Sequence, residues 1–428
     1  MLLIKPKPNL YQRFSERSRS IVTNASIDKS VVALVTACRD VPQVNRENAL
    51  DGKSSALRRV VIVERNFLHY RVAVYQRLRE LLHAEGVNLQ LLIGAGTPEE
   101  MQKRDQTKLD WTITLPTKYF FRNKVCWLPF GSYAKGAELV VLMHENKLIY
   151  NLWLMFFSRP RRLAFWGHGR NMQSKHPDGL KERFKRWTVN KVDWWFAYTE
   201  GSAVLVNKAG FPRARTTVVE NAIDTKEMTA LCHAITAAER ERLRLKFGVG
   251  SGKVGLYVGS LYEEKRIDFL LEAVLEIRRR SPDFHVLVVG AGPDEAMIET
   301  AAREHSWIHY LGPLHGKQKA ETLVIADVML NPGLVGLGIL DSFINGTPMF
   351  TTDCGLHSPE IEYLNSGTNG VMTADNLDAY TDAVVKILAD PAALAKLRKG
   401  ALASASRYTV ENMAERICSG IMSCLATE

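Results

Sequence analysis

Short apolar runs bounded by charge recur from Arg58 onward, and most are followed by a stretch with helical spacing. Arg59–Val63 is the first, reading as a strand buried on both faces. Tyr70–Leu82 then carries Val72, Val74, Tyr75, Leu78, Leu81 and Leu82 at helical spacing. Leu89–Ile93, Leu139–Met143, Leu163–Trp166, Trp194–Tyr198 and Thr217–Val219 are further predicted strands, with a helix at Lys147–Phe157. The pattern restarts after Asn221. Strands are predicted at Lys253–Gly259, Phe284–Val289, Trp307–Leu311, Val328–Asn331 and Pro348–Thr351. Helices are predicted at Ile267–Arg280, Lys317–Ile325, Ile339–Asn345, Leu377–Ala389, Ala392–Ser406 and Val410–Leu425. Such alternation means parallel sheets covered on both faces. The chain is therefore read as α/β, with two doubly wound domains at residues 58–222 and 223–410 facing a cleft, and a C-terminal helical segment at 411–428. Ligands of such sheets bind at the carboxyl ends of the strands.

Residues 1–57 do not share this pattern. Lys5-Pro6-Lys7-Pro8 and the Arg/Ser-rich stretch Arg13–Ser20 lack periodicity, so this segment is expected to be a mobile extension. The apolar run Val31–Cys38 is too short, and too far from the start, for a good signal peptide. No run approaches the roughly 18 apolar residues of a membrane span.

Composition over the 428 residues is globular, with 46% hydrophobic and 24% charged residues, which excludes wholesale disorder. Six cysteines stand singly, a pattern suited to a reducing compartment rather than a disulfide framework. Scattered His and Asp show no metal-ligand spacing, so no metal is expected. Charge is divided unevenly: residues 58–222 hold 27 Lys and Arg against 14 Asp and Glu, a net of +13. Residues 223–428 hold 20 against 27, a net of −7. A basic half suits an anionic surface. Its basic–aromatic stretch, Lys181–Trp187 with Lys191 and Trp194-Trp195, fits an anionic membrane as well as it fits a solvated helix. Nucleic acid is not expected, because no recognition motif accompanies the charge.

Glycines stand where second-domain strands end, at Gly259, Gly290, Gly292, Gly333, Gly336 and Gly338. There they let backbone approach a ligand closely, or end a strand for steric reasons. Gly290-Ala291-Gly292 lacks the remainder of a dinucleotide fingerprint, and no phosphate-loop motif occurs, so NAD and ATP are poor fits.

Taken in order, several segments resemble the retaining glycosyltransferases of family 4, of the type found in bacterial surface-polysaccharide synthesis. They are Tyr257–Ala273, Leu287–Pro293, Ala326–Pro332, Gly336–Pro348, Pro359–Ile361, Gly367–Gly370 and the interdomain turn Val219–Asp224. The resemblance spans most of residues 58–418 and implies the GT-B fold of two Rossmann-like domains. It also implies that the last helix crosses back to the first domain. By position, Lys265 matches the lysine on the donor diphosphate, Asp341 the acid on the ribose hydroxyls, and Gly336, Leu337 and Gly338 a backbone loop at the β-phosphate and sugar. Gly259, Ser260, Arg266, Gly290 and Gly292 complete the implied donor site, and His168 matches a first-domain histidine facing the transferred sugar. Glu145 and Arg170 are candidates on the acceptor side.

Two positions depart from the family. Gly333 stands where a first glutamate is usual, and Ser260 replaces an arginine, a loss that Arg266 or Arg170 would have to offset. The resulting expectation is sugar transfer from a nucleotide-diphosphate sugar, a co-substrate rather than a cofactor, to a saccharide acceptor. That acceptor is expected to be lipid-linked, on the cytoplasmic face of the membrane, with the protein peripheral there. A catalytically silent scaffold and a sugar-nucleotide epimerase are the alternatives.

Overall fold

The computed structural model describes residues 57–102, 106–169 and 186–427. Residues 1–56, Arg170 and Lys181–Lys185 lie outside the described residues.

The apolar runs become strands because their side chains are covered on both faces. The first half holds β1 (Arg58–Glu64), β2 (Val87–Ile93), β3 (Ile113–Thr114), β4 (Lys118–Phe120), β5 (Val125–Trp127), β6 (Leu139–Met143), β7 (Arg162–Gly167), β8 (Trp194–Ala197) and β9 (Thr216–Val218). All but β4 and β5 form one parallel sheet in the order β3-β2-β1-β6-β7-β8-β9. β4 and β5 pair antiparallel beside it. Every residue of β6 and of β8 is buried, so Trp194 and Trp195 are sheet core and not part of a basic–aromatic surface.

The second half holds β10 (Lys253–Val258), β11 (Phe284–Val289), β12 (Ile308–Tyr310), β13 (Val328–Leu330), β14 (Met349–Thr352) and β15 (Gly370–Thr373). They form a second parallel sheet in the order β12-β11-β10-β13-β14-β15. In each sheet the strand order reverses beside the first strand, at β1/β6 and at β10/β13. These switch points are where chain segments leaving adjacent strands diverge and open a crevice.

Helices pack on both sheets: α1 (Val72–Ala84), α2 (Ile149–Phe157), α3 (Glu200–Lys208), α4 (Lys226–Ala234), α5 (Ala237–Lys246), α6 (Ile267–Arg280), α7 (Glu295–Glu304), α8 (Gly316–Ile325), α9 (Ile339–Ile344), α10 (Leu377–Ala389), α11 (Pro391–Ala405) and α12 (Val410–Ala426). The second core is built from α6 residues Leu270, Val274 and Ile277 against Val286 and Val288 of β11.

The α12 helix packs on α1, β8 and β9 of the first sheet. Gly420 permits the approach, since a Cβ there would lie 2.4 Å from Thr217 Oγ1 and 2.7 Å from Phe196 Cε1. The halves are also joined through Glu220, a non-glycine residue at φ +52 whose carboxylate meets Arg407 and Arg416. Glu362, from the turn after β14, caps α3 of the first half. Its carboxylate accepts from Gly201 N–H at 2.7 Å and from Thr199 Oγ1 at 3.0 Å.

Candidate active site

The second-half site is assembled from loops at the β10/β13 switch point. After β10, Gly259 N–H donates to Val289 O and Leu261 N–H to Ala291 O, both at 3.0 Å. The loops after β10 and β11 therefore lie directly on each other. A Cβ at Gly290 would sit 1.8 Å from Gly259 O, and one at Gly292 2.1 Å from Leu261 O. The protein's own backbone fills that space, so steric contact between loops explains this glycine pair without a ligand. Ser260 is exposed, and its carbonyl accepts from the Tyr257 hydroxyl at 2.9 Å.

Lys265 ends a 3-10 turn, Glu263–Lys265, that precedes α6. Its Nζ donates to Leu334 O at 2.5 Å, while Leu334 N–H donates to Glu264 O at 2.8 Å. This two-way clamp explains the unusual Gly333. A Cβ there would lie 2.5 Å from Glu264 O and from Lys265 C, so a glutamate has no room unless the lysine turn moves. Lys265 is half-buried instead of standing free in a cleft, and burial pulls its ammonium down to about 8. Less desolvated surroundings would leave it fully charged at neutral pH.

Arg266 takes φ +57 at the start of α6. Its guanidinium pairs with Asp375, lies 3.3 Å from Thr352 Oγ1 and covers the Phe269 ring at 4.5 Å. It braces the ends of β14 and β15. Arg170, the other candidate, is outside the described residues.

The open part of the site is narrower than the glycine pattern implied. A Cβ at Gly338 would meet nothing within 4 Å, and at Gly336 only Ser358, at 3.5 Å. Leu337 between them is partly exposed. His357, which had no motif to mark it, holds the root of this loop. Its Nδ1 accepts from Val335 N–H at 3.1 Å, while Nε2 lies 2.7 Å from Thr352 O. Asp341 follows in the first turn of α9, buried, with both oxygens on Lys319 Nζ of α8 at 2.7 and 2.8 Å. Lys319 also went unmarked in the sequence.

In the first half, Glu64 ends β1 and is buried, its carboxylate accepting from Tyr75 Oη at 2.7 Å and Arg71 Nη1 at 3.2 Å. Burial raises the Glu64 carboxyl, an effect that the neighbouring Arg71 guanidinium opposes. Arg71 Nη2 donates to Tyr198 Oη at 2.6 Å, and the Tyr198 ring stacks on His168, with centroids 4.3 Å apart. Glu64, Arg71, Tyr198 and His168 thus form one connected group at the carboxyl ends of β1, β7 and β8. Glu145, just beyond β6, is bound to Arg65 Nε at 3.2 Å and Lys147 Nζ at 3.5 Å. Arg65 also holds Glu100, at 2.5 and 2.8 Å, and this bond keeps the Glu100 carboxyl down at about 2. The Glu145 carboxylate is therefore shared with two cations. Among the described residues no cluster of three or more His, Cys, Asp or Glu could hold a metal ion.

Residues 252–390 match the family model described as Glycosyl transferases group 1. The chain is 29% identical over 251 residues to the 2-deoxystreptamine glucosyltransferase of Streptomyces kanamyceticus, a match covering 56% of this chain and 62% of that protein. It is 30% identical over 165 residues to a GDP-mannose-dependent alpha-(1-6)-phosphatidylinositol monomannoside mannosyltransferase of Mycolicibacterium smegmatis, covering 36% and 43%. The matches thus span between about two fifths and three fifths of these curated relatives. In three dimensions, the structure of Anabaena HepE in complex with UDP superposes with a TM-score of 0.63 at 15% identity, over 85% of this chain and 100% of that one. These likenesses show a chain similar to the family-4 glycosyltransferases. Its second sheet domain carries the group 1 match, and the described body has the GT-B fold.

Proposed function

We propose that the chain is a retaining glycosyltransferase that moves a sugar from a nucleotide-diphosphate sugar to a saccharide acceptor. The observation that carries this reading is the open Gly336–Gly338 loop, which lies between the clamped Lys265 turn and Asp341 at the β10/β13 switch point. In this arrangement Lys265 meets the diphosphate as it departs. A half-buried ammonium stabilises developing negative charge more strongly than an exposed one, because little water screens it. Asp341 receives the ribose hydroxyls, backbone at 336–338 meets the β-phosphate and sugar, and His168 faces the transferred sugar from the first domain. With position 333 filled, recognition of the sugar falls on backbone and on the first domain.

The acceptor is a lipid-linked saccharide presented at the inner face of the membrane, in surface-polysaccharide synthesis. The phosphatidylinositol mannosyltransferase relative supports a lipid acceptor, and the net charge of +13 over residues 58–222 supports docking on an anionic surface. So does an exposed tryptophan. Trp187, 41% exposed, stacks on Phe156 of α2 at 5.5 Å with Lys191 Nζ over its ring at 5.1 Å. Among the described residues no helix is long and apolar enough to cross a membrane.

Titrating the protein with UDP-, GDP- and ADP-sugars, then following hydrolysis or transfer, tests the reading. An α-configured product from an α-configured donor is expected by NMR. An inverted product rejects retention, and absence of binding to every nucleotide sugar favours the silent scaffold.

A further inference from the structure

The Lys319–Asp341 pair is unusual in its placement. The two side chains are 20% and 10% exposed, they come from different helices, and one ammonium lies on both carboxylate oxygens. Burying two charges costs desolvation that their attraction often fails to repay, so such a pair is weak evidence of a purely stabilising role. The helices do not need it to stay together. Asn345 Nδ2 just after α9 already donates to Leu323 O of α8 at 3.0 Å, and α4 packs against both.

The geometry has a clear effect on the acid. Aspartate is one methylene shorter than glutamate, so its carboxylate lies nearer the backbone and depends more on what aims it. A carboxylate offers about four acceptor positions and an ammonium three donors, so this contact leaves part of each inventory for a ligand. Resting on the ribose-binding role of Asp341 proposed above, we infer that Lys319 is a positioning and specificity-determining residue. It holds the Asp341 carboxylate oriented so that the pair discriminates ribonucleotide from deoxyribonucleotide donors.

The test is calorimetry on the full chain with UDP, GDP and ADP, and then with the 2′,3′-dideoxy form of the nucleotide that binds best. Hydrogen bonds to a charged acceptor are among the stronger ones, so wild-type protein should prefer the ribonucleotide by about tenfold to a hundredfold. Lys319→Met should lose about tenfold in affinity for the ribonucleotide and almost none for the dideoxy form, collapsing the ratio towards one. Lys319→Gln, which keeps an N–H donor for the carboxylate, should fall between them, and circular dichroism melts confirm that each variant is folded. A Lys319→Met or Lys319→Gln protein that keeps the wild-type ratio overturns the inference, as does one that weakens both nucleotides equally. Binding of no nucleoside diphosphate by the wild type would instead overturn the donor-site reading, and this inference with it.

Discussion

The ring of Tyr198 stacks on the imidazole of His168 with centroids 4.3 Å apart and 28° between planes. The tyrosine does not choose this orientation alone, because Arg71 holds its hydroxyl at 2.6 Å and is itself held by Glu64. A buried charged group thus sets the plane of a side chain proposed to face the sugar. Tyr198→Phe keeps the stack and removes the anchor. Turnover is expected to fall about tenfold, the scale of one lost hydrogen bond to a charged group, with little change in donor affinity. Steady-state kinetics beside a thermal melt check this, and unchanged kcat would show that the stack needs no anchor.

Lys265 gives a pH dependence with a definite sign. Burial lowers its ammonium from an ordinary value near 10.5 to about 8, so the free protein loses that proton as pH rises through 8. If the charge is needed, kcat/KM should decline above about pH 8. A bound diphosphate restores the proton, so binding near pH 8.5 should take up protons, measurable by calorimetry in buffers of different ionisation enthalpy. The stability effect is separate. Between about pH 8 and 10.5 the unfolded chain holds this proton more tightly than the folded one, so Lys265 makes unfolding free energy rise with pH in that window. Lys265→Met should remove both effects and slow transfer about a hundredfold or more.

Restoring the family's acid should harm this protein. Gly333→Glu places a Cβ 2.5 Å from the backbone of Glu264 and Lys265, which must shift. Overpacking of this kind costs about 1–3 kcal/mol. Urea denaturation should show that loss, and the rate should drop because the lysine turn is displaced. A stable, faster Gly333→Glu enzyme would show that the turn is more yielding than its clamp indicates.

Membrane docking is testable at Trp187. Co-sedimentation with anionic liposomes should occur at low salt and weaken as salt is added, since each Lys or Arg near the surface contributes about 1 kcal/mol. Trp187→Ala should weaken it several-fold, and deletion of residues 1–57 should leave it largely intact. Equal binding to neutral liposomes, or none at low salt, would point to a soluble acceptor.

Strongly apolar segments were legible from sequence alone. Leu139–Met143, Phe284–Val289 and Ile267–Arg280 have the same bounds in the structure as in the pattern, because burial demands an unbroken run or a full helical face. Helices that bury almost nothing left no such trace. Only Cys232 is buried in α4, Arg244 in α5 and Ile298 in α7. Thr236 and Glu239 did offer a capping box at the start of α5, a local signal that the apolar pattern passes over. The β4–β5 hairpin was missed for the opposite reason, since three-residue strands are too short to show alternation.

The site divides in the same way. Lys265, Asp341 and the 336–338 loop lie in ordered segments that resemble a known family. Lys319 and Arg71 do not, because each matters through a partner far along the chain. Arg71 and Tyr198 are 127 residues apart, and no local spacing brings them together. Arg266 has a partner of the same kind, since Asp375, which pairs with it, lies more than a hundred residues along the chain.

The packing of α12 on α1, β8 and β9 has a consequence for how the molecule is made. The sheet that leaves the ribosome first cannot complete its own covering. Phe196, Thr217 and the exposed side of α1 must wait in water, or in the keeping of a chaperone, until the whole second sheet has been synthesised and the last helix emerges. Synthesis and folding therefore run in opposite order for this half. Residues 58–222 produced alone should aggregate, and supplying α12 as a separate peptide should rescue them.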